Sequence, residues 1–274
     1  MEMPSDLSTQ QVQCRLISQV VGRSLEVRRT VGSTNDVLLA AAGAGAPEGL
    51  AVLADRQTAG RGRRGRAWAS PPDVGLYTSI LLRPKLPCPP ATLLTLVAGL
   101  ATSAAIQEVA RVGSRLSLKW PNDVLIDGRK AAGVLVEMAS LEDRVTHAVI
   151  GIGINVNHGL RDFPEELRTV ATSLRLATGR AIRRAELAAA VYNHLDCWYR
   201  AFGEADAETI VGRAREQSAT LGRPVEVLGE REQWRGLAVD LDLDGALLVR
   251  DQNGRLQRVL AGDVTIRTVA RDAI

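Results

Sequence analysis

Apolar positions along this chain alternate between two periods. Short apolar or alternating runs read as strands, and longer runs at helical spacing read as helices. Residues 50–55 (LAVLAD) and 75–82 (GLYTSILL) are near-continuous apolar runs, the pattern of strands buried on both faces. Ser33, Thr34, Asn35 and Asp36 supply helix N-cap residues just ahead of the apolar residues 37–42, so a strand-to-helix turn is expected there. Residues 91–111 predict a long core helix. Residues 116–119, 124–126 and 132–138 predict strands, with Asp127-Gly128 as a hairpin turn. Residues 147–155 (HAVIGIGIN) read as an apolar strand, followed by an irregular loop over residues 156–166. Helices are expected over residues 184–202 and 205–217. From Leu221 the pattern changes to short strands at residues 225–228, 234–241, 246–250 and 256–260, separated by Gly and Asp-Gly turns.

This order predicts an α+β fold of two units. Residues 25–218 form a larger unit of strands and helices, and residues 219–274 a small β barrel of SH3 size. Residues 1–24 are mostly polar, carry no strong pattern and are expected as an N-terminal extension. Composition is that of an ordinary globular protein, with 46% hydrophobic and 24% charged residues in 274. The net charge of +3 is too small to imply a nucleic-acid binder, so positive charge matters locally rather than globally. Cys14, Cys88 and Cys197 are odd in number and form no metal-ligand spacing, which points to reduced thiols. The longest apolar stretch, residues 93–106, is broken by threonines, a glycine and a serine, and is too short to span a bilayer. The first residues lack a signal-peptide pattern, so a cytoplasmic protein without a membrane partner is expected.

Residues 60–66 read GRGRRGR, four guanidiniums and three glycines without one apolar side chain. Arginine forks suit paired contacts with phosphate or carboxylate oxygens, and glycine lets backbone approach a ligand. This is no Walker A loop, because no Gly-Lys-Ser/Thr follows. The heptamer alone fits a solvated basic patch or a nucleic-acid tract as well. Its place between two buried strands, with Trp68 just beyond, favours a binding loop on a rigid scaffold. Lys119-Trp120-Pro121-Asn122-Asp123 reads either as an ordinary turn with Trp120 in the core or as a bend that projects polar groups. In the second case Asn122 suits a sugar or base edge, and Asp123 a Mg²⁺ ion or a lysine. Lys130 follows the hairpin turn; beside the arginine loop it is a candidate to neutralise a reacting phosphate. Gly151, Gly153 and Asn155 end a strand where a flat ligand ring could lie against backbone. His147, His158 and His194 are scattered and suggest no metal site.

Together these segments resemble the biotin–protein ligases. STND, QTAGRGRRGRAW, GLYTSILLRP, KWPNDVLIDGRKAAGVLVE, IGIGINVN and GDVTIR occur in that family's order, over residues 25–270. Lipoate–protein ligases share the fold and the adenylation logic, but the arginine loop with KWPND matches the biotin branch. A nucleic-acid-binding module built on the arginine run is the reading from a different class. The resemblance implies a mixed β-sheet with flanking helices, related to class II aminoacyl-tRNA synthetase catalytic domains, and an SH3-like C-terminal domain. It implies that biotin and ATP, with Mg²⁺, form biotinyl-5′-AMP. Biotin then passes to a lysine of a biotin carboxyl carrier domain of an acetyl- or acyl-CoA carboxylase.

By the same resemblance Ser33, Thr34, Asn35 and Gln57 contact biotin, and Gly60, Arg61, Gly62 and Arg63 form its loop. Gly133 and Leu135 line its pocket, and Lys130 stands between the biotin carboxylate and the α-phosphate. Lys130, Arg63 and Arg66 are implied as catalytic. Arg61, Arg63, Arg66, Lys119, Trp120, Asn122 and Asn155 serve ATP, and Asp123 the Mg²⁺. Some members carry an N-terminal winged helix and bind DNA. Here only about 24 residues precede the catalytic segment, so no specific DNA binding is expected. Some members stack a tryptophan on adenine from the loop after the GxGxN strand; that loop here has Phe163 as its aromatic. Family members use a sheet edge both for self-pairing and for docking the carrier, which keeps a homodimer among the expectations.

Overall fold

The computed structural model of the chain describes residues 6–84, 91–142, 144–204, 207–228, 233–260 and 263–266. The chain begins with α1 (Thr9–Gln13), followed by β1 (Ser24–Val31), α2 (Thr34–Gly43), β2 (Leu50–Gln57), β3 (Gly75–Leu82) and α3 (Ala91–Ala110). Four strands come next: β4 (Leu116–Lys119), β5 (Asp123–Ile126), β6 (Arg129–Leu141) and β7 (Arg144–Asn155). Helices α4 (Leu174–Thr178), α5 (Arg184–Glu204) and α6 (Ala207–Glu216) complete the larger unit. The expected helix start at residue 205, and Cys88, lie outside the described residues.

Strands β1 to β7 form one mixed sheet in the order β1-β2-β3-β7-β6-β5-β4, in which only β1 and β2 run parallel. Side chains alternate between its two faces. On one face Leu53, Ile80, Val134, Ile150, Ile152 and Ile154 pack in the main core with α3 and α5. Helix α3 has the length and apolarity of a membrane span, but most of it is buried in this core. On the other face Val52, Leu81 and Val149 pack under Leu38 of α2. That second layer covers only part of its face, and the bare remainder is where the site lies.

Residues 6–23 are stitched into the same unit rather than hanging from it. Val12 and Val21 are fully buried in the main core. Asp196 of α5 accepts hydrogen bonds from the backbone of Gln19, Val20 and Val21 at 3.0, 2.7 and 2.9 Å. One carboxylate thus replaces the periodic apolar pattern that would have betrayed this segment.

The remaining strands are β8 (Pro224–Leu228), β9 (Gln233–Leu241), β10 (Leu247–Asp251), β11 (Leu256–Val259) and β12 (Asp263–Ile266). They form an antiparallel sheet in the order β11-β10-β9-β8-β12, with no pairing of β11 to β12 among the described residues to close a barrel. This sheet is tied to the larger unit by Trp120, whose Nε1–H donates to Gly245 O at 2.9 Å and whose backbone N–H donates to Thr220 Oγ1 at 3.0 Å.

Candidate active site

A cavity of about 520 Å³ opens on the face of the large sheet that α2 leaves bare. Its floor is β6 and β7, where Gly133 pairs with Gly153 and Leu135 with Gly151. The first turn of α2 forms one wall. Ser33 holds the N-cap position without a side-chain capping bond. The Thr34 backbone N–H and hydroxyl both donate to Gln57 Oε1, at 2.9 and 3.1 Å. Ser79 of β3 lies 2.7 Å from Thr34 Oγ1 and 2.5 Å from Asn35 Oδ1. The Gln57 amide donates in turn to Ser70 Oγ at 3.0 Å. Ser33, Thr34, Asn35 and Ser79 are buried, so this run of short polar groups is held in fixed orientations.

The arginine loop is a small hairpin built out from β2. Arg61 and Ala67 form an antiparallel bridge, Trp68 N–H donates to Gly60 O at 2.9 Å, and Gly62 N–H donates to Arg66 O at 2.6 Å. The tip turns through Arg64 and Gly65, both at positive φ. Gly60 is the one expected residue that does not line the cavity. It is buried at the loop base, where a Cβ would stand 2.5 Å from Trp68 O, so its role is close backbone packing. Gly62, Arg63 and Arg66 line the cavity, and Arg63 reaches Asn122 Oδ1 at 3.4 Å. Arg61 lines it too, with its guanidinium held by Asp36 at 2.7 Å and by both oxygens of Glu137 at 2.9 and 2.7 Å.

KWPND forms the loop of the β4–β5 hairpin, in which Lys119 pairs with Asp123 across a cis Trp120–Pro121 bond. Both readings of the pentapeptide hold together. Trp120 is buried against the C-terminal sheet, while Lys119, Asn122 and Asp123 still line the cavity. Lys130 Nζ stands 2.5 Å from Asp123 Oδ1 and 5.2 Å from the centre of the Trp68 ring. The Lys130–Asp123 contact is an ion pair without hydrogen-bond geometry, since that oxygen has no aligned donor. The Asn155 amide donates to Lys130 O at 3.3 Å and to Thr172 O at 3.1 Å, so only its side-chain oxygen is left for a ligand.

Several further residues whose sequence pattern assigns them no role in the site also line the cavity. Trp68 lies over Gly133 and Gly153, so at Gly153 the protein's own indole stands where a ligand ring was expected, while Asn35 stands against Gly151. Its Nε1–H is buried with no acceptor among the described residues, which leaves a donor for a ligand. The loop after β7 brings His158 and Phe163 to the wall, stacked with centroids 5.0 Å apart. Burial pushes the His158 pKa down to about 4, with Asp162 opposing. Val264, Thr265 and Ile266 of β12 also line the cavity. These residues come from separate stretches of the chain, and no local sequence pattern marks their convergence.

A metal finds one carboxylate here. Asp123 is already held by Lys130, and the described residues contain no group of three or more His, Cys, Asp or Glu side chains placed to hold an ion. One carboxylate fits Mg²⁺ that arrives with nucleotide phosphates, not a resident protein site.

The sequence profile of the Biotin/lipoate A/B protein ligase family matches residues 27–155, and that of the Biotin protein ligase C terminal domain matches residues 220–267. The bifunctional ligase/repressor BirA of Bacillus spizizenii is 35% identical over 263 residues, covering 96% of this chain and 80% of that protein. The biotin–[acetyl-CoA-carboxylase] ligase of Mycobacterium tuberculosis is 36% identical over 246 residues, 88% of each chain. The structure of biotin protein ligase from Aquifex aeolicus in complex with biotin and ATP matches with a TM-score of 0.77 at 35% identity, covering 90% of this chain and 100% of that one. The two profiles fall one in each unit, and the relatives cover most of the chain. The chain belongs to the biotin protein ligase family.

Proposed function

We propose that this cavity binds biotin and ATP side by side, and that the protein is an ATP-dependent biotin–protein ligase acting on a carboxylase's biotin carboxyl carrier domain. In the first step a biotin carboxylate oxygen attacks the α-phosphorus. The bond to the β-phosphate oxygen breaks, and pyrophosphate leaves with its electron pair. In the second step the neutral ε-amine of a carrier lysine attacks the anhydride carbonyl, the carbon–oxygen bond to phosphate breaks, AMP leaves with the electron pair, and the nitrogen releases its extra proton to solvent.

Ser33, Thr34, Asn35 and Gln57, with Gly133 and Leu135 as apolar floor, are assigned to biotin. Lys119, Trp120, Asn122 and Asn155 are assigned to the nucleotide, and Asp123 to Mg²⁺, which would offset phosphate charge. The observation that carries the reading is the meeting of Lys130, Arg63 and Arg66 at one cavity that the buried polar turn of α2 also lines. Two anions must approach each other, and fixed cations lower that repulsion while stabilising charge in the transition state. Residues 60–66 serve as a lid that keeps water from the anhydride.

We assign residues 25–218 as the catalytic domain and 219–274 as an SH3-like domain whose sheet curls into a barrel, with Trp120 joining the two. The cytoplasm as location and a homodimer through a sheet edge belong to the same reading. Incubation with biotin, ATP and a purified carrier domain tests it. The carrier gains one biotin by intact mass, and none when its target lysine is replaced by arginine.

A further inference from the structure

Glu137 has no part in the chemistry described so far, yet its carboxylate joins the two sides of the cavity. On β6 it follows Gly133 and Leu135 on the cavity face, and it pairs with Val149, which packs under α2. It therefore stands where the bare floor meets the helix. Oε1 accepts from one terminal nitrogen of Arg61 at 2.9 Å, and Oε2 from the other at 2.7 Å. Oε2 also accepts from Asn35 Nδ2 at 2.7 Å. Asp36 reaches the same guanidinium at 2.7 Å. One side chain thus grips the arginine loop in a two-pronged contact and fixes the amide of a residue in the α2 turn.

We propose that Glu137 is a positioning residue that latches the arginine loop over the bound intermediate, with Arg61 as its strap. The proposal rests on the ligase reading above. A fork-to-fork contact fixes orientation as well as distance, as a latch requires. Two carboxylates hold Arg61 and more than offset its charge, so its guanidinium ties the loop down while Arg63 and Arg66 face the phosphates. The Glu137 and Arg61 side chains are 26% and 37% exposed. Solvent weakens such a pair, which suits a lid that must open for each substrate and each carrier lysine.

Release of preformed, radiolabelled biotinyl-AMP from the protein, chased with unlabelled biotin and ATP, tests the latch. Glu137→Gln raises the release rate about tenfold, equivalent to about 1.4 kcal/mol. In an Arg61→Gln background the same change has less than about a twofold effect, because its partner is already gone. Asp36→Asn, on the exposed side of the guanidinium, raises release about two- to fivefold and serves if Glu137→Gln does not fold. Unchanged release from both single variants overturns the latch, and so does an equal effect of Glu137→Gln with and without Arg61. Wild-type protein that makes no biotinyl-AMP overturns the ligase reading itself, a separate outcome.

Discussion

The indole of Trp68 lies over Gly153 so closely that a Cβ at that position would stand 2.5 Å from its Cε2 atom. The bare strand end was expected to receive a ligand's ring, and it receives one of the protein's own. That ring carries Lys130 at its face, so the glycine sets where the candidate catalytic lysine stands.

Gly153→Ala is therefore expected to displace Trp68 and lower stability by about 1–3 kcal/mol, the usual cost of overpacking. Adding Trp68→Ala restores the space, so the double variant is more stable than the sum of the single effects. Urea melts of the four proteins measure this. Strict additivity would mean that the two residues do not share the space.

Lys130→Ala is expected to slow biotinyl-AMP formation by ~100- to 1,000-fold, the effect of losing one fixed cation or donor at a reacting centre. Lys130 is partly exposed, so the fold survives its truncation. Single-turnover formation of biotinyl-AMP within about threefold of wild type would remove Lys130 from the chemistry.

Arg63→Gly is expected to loosen the lid more than it slows the first step. It removes a guanidinium that reaches Asn122 and raises the entropy cost of ordering the loop. The adenylate then escapes and acylates exposed lysines elsewhere. Biotin label on serum albumin, with ATP present, should exceed the wild-type level several-fold. A variant that forms adenylate at the wild-type rate and releases none would show that the loop is not the lid.

His158 makes the fold acid-sensitive. Burial holds its pKa near 4 in the fold, against 6.5 when exposed. Between those values the unfolded chain binds the proton and the folded chain does not, so stability falls as pH falls through that window. Wild type should lose up to about 3 kcal/mol more stability between pH 7 and pH 4 than His158→Phe does. Parallel denaturation curves at the two pH values decide it, and an equal loss in both proteins would contradict the buried neutral imidazole.

The elements whose chemistry is contiguous were legible in the sequence. GRGRRGR, KWPND and the lysine after Asp127-Gly128 each reveal their chemistry within a few residues, and all three reach one cavity. What stayed hidden depends on partners far apart in the chain. Arg61 lines the cavity as expected, but the residue that holds it there, Glu137, lies seventy-six residues on. Asp196 fixes a segment about 176 residues before it, which no local period could reveal. Gly60 looked like one of the ligand-facing glycines, and only the path of Trp68 O shows it to be a packing position.

Joining biotin to the α-phosphate of ATP is the step on which every role assigned to this cavity depends. Exchange of radiolabelled pyrophosphate into ATP reads that step alone, without a carrier domain. Saturating biotin should support exchange, lipoate should support none above background, and Lys130→Ala should lower the biotin-driven rate by ~100-fold or more. Exchange driven by lipoate as well as by biotin, or no exchange with biotin at all, would contradict the account.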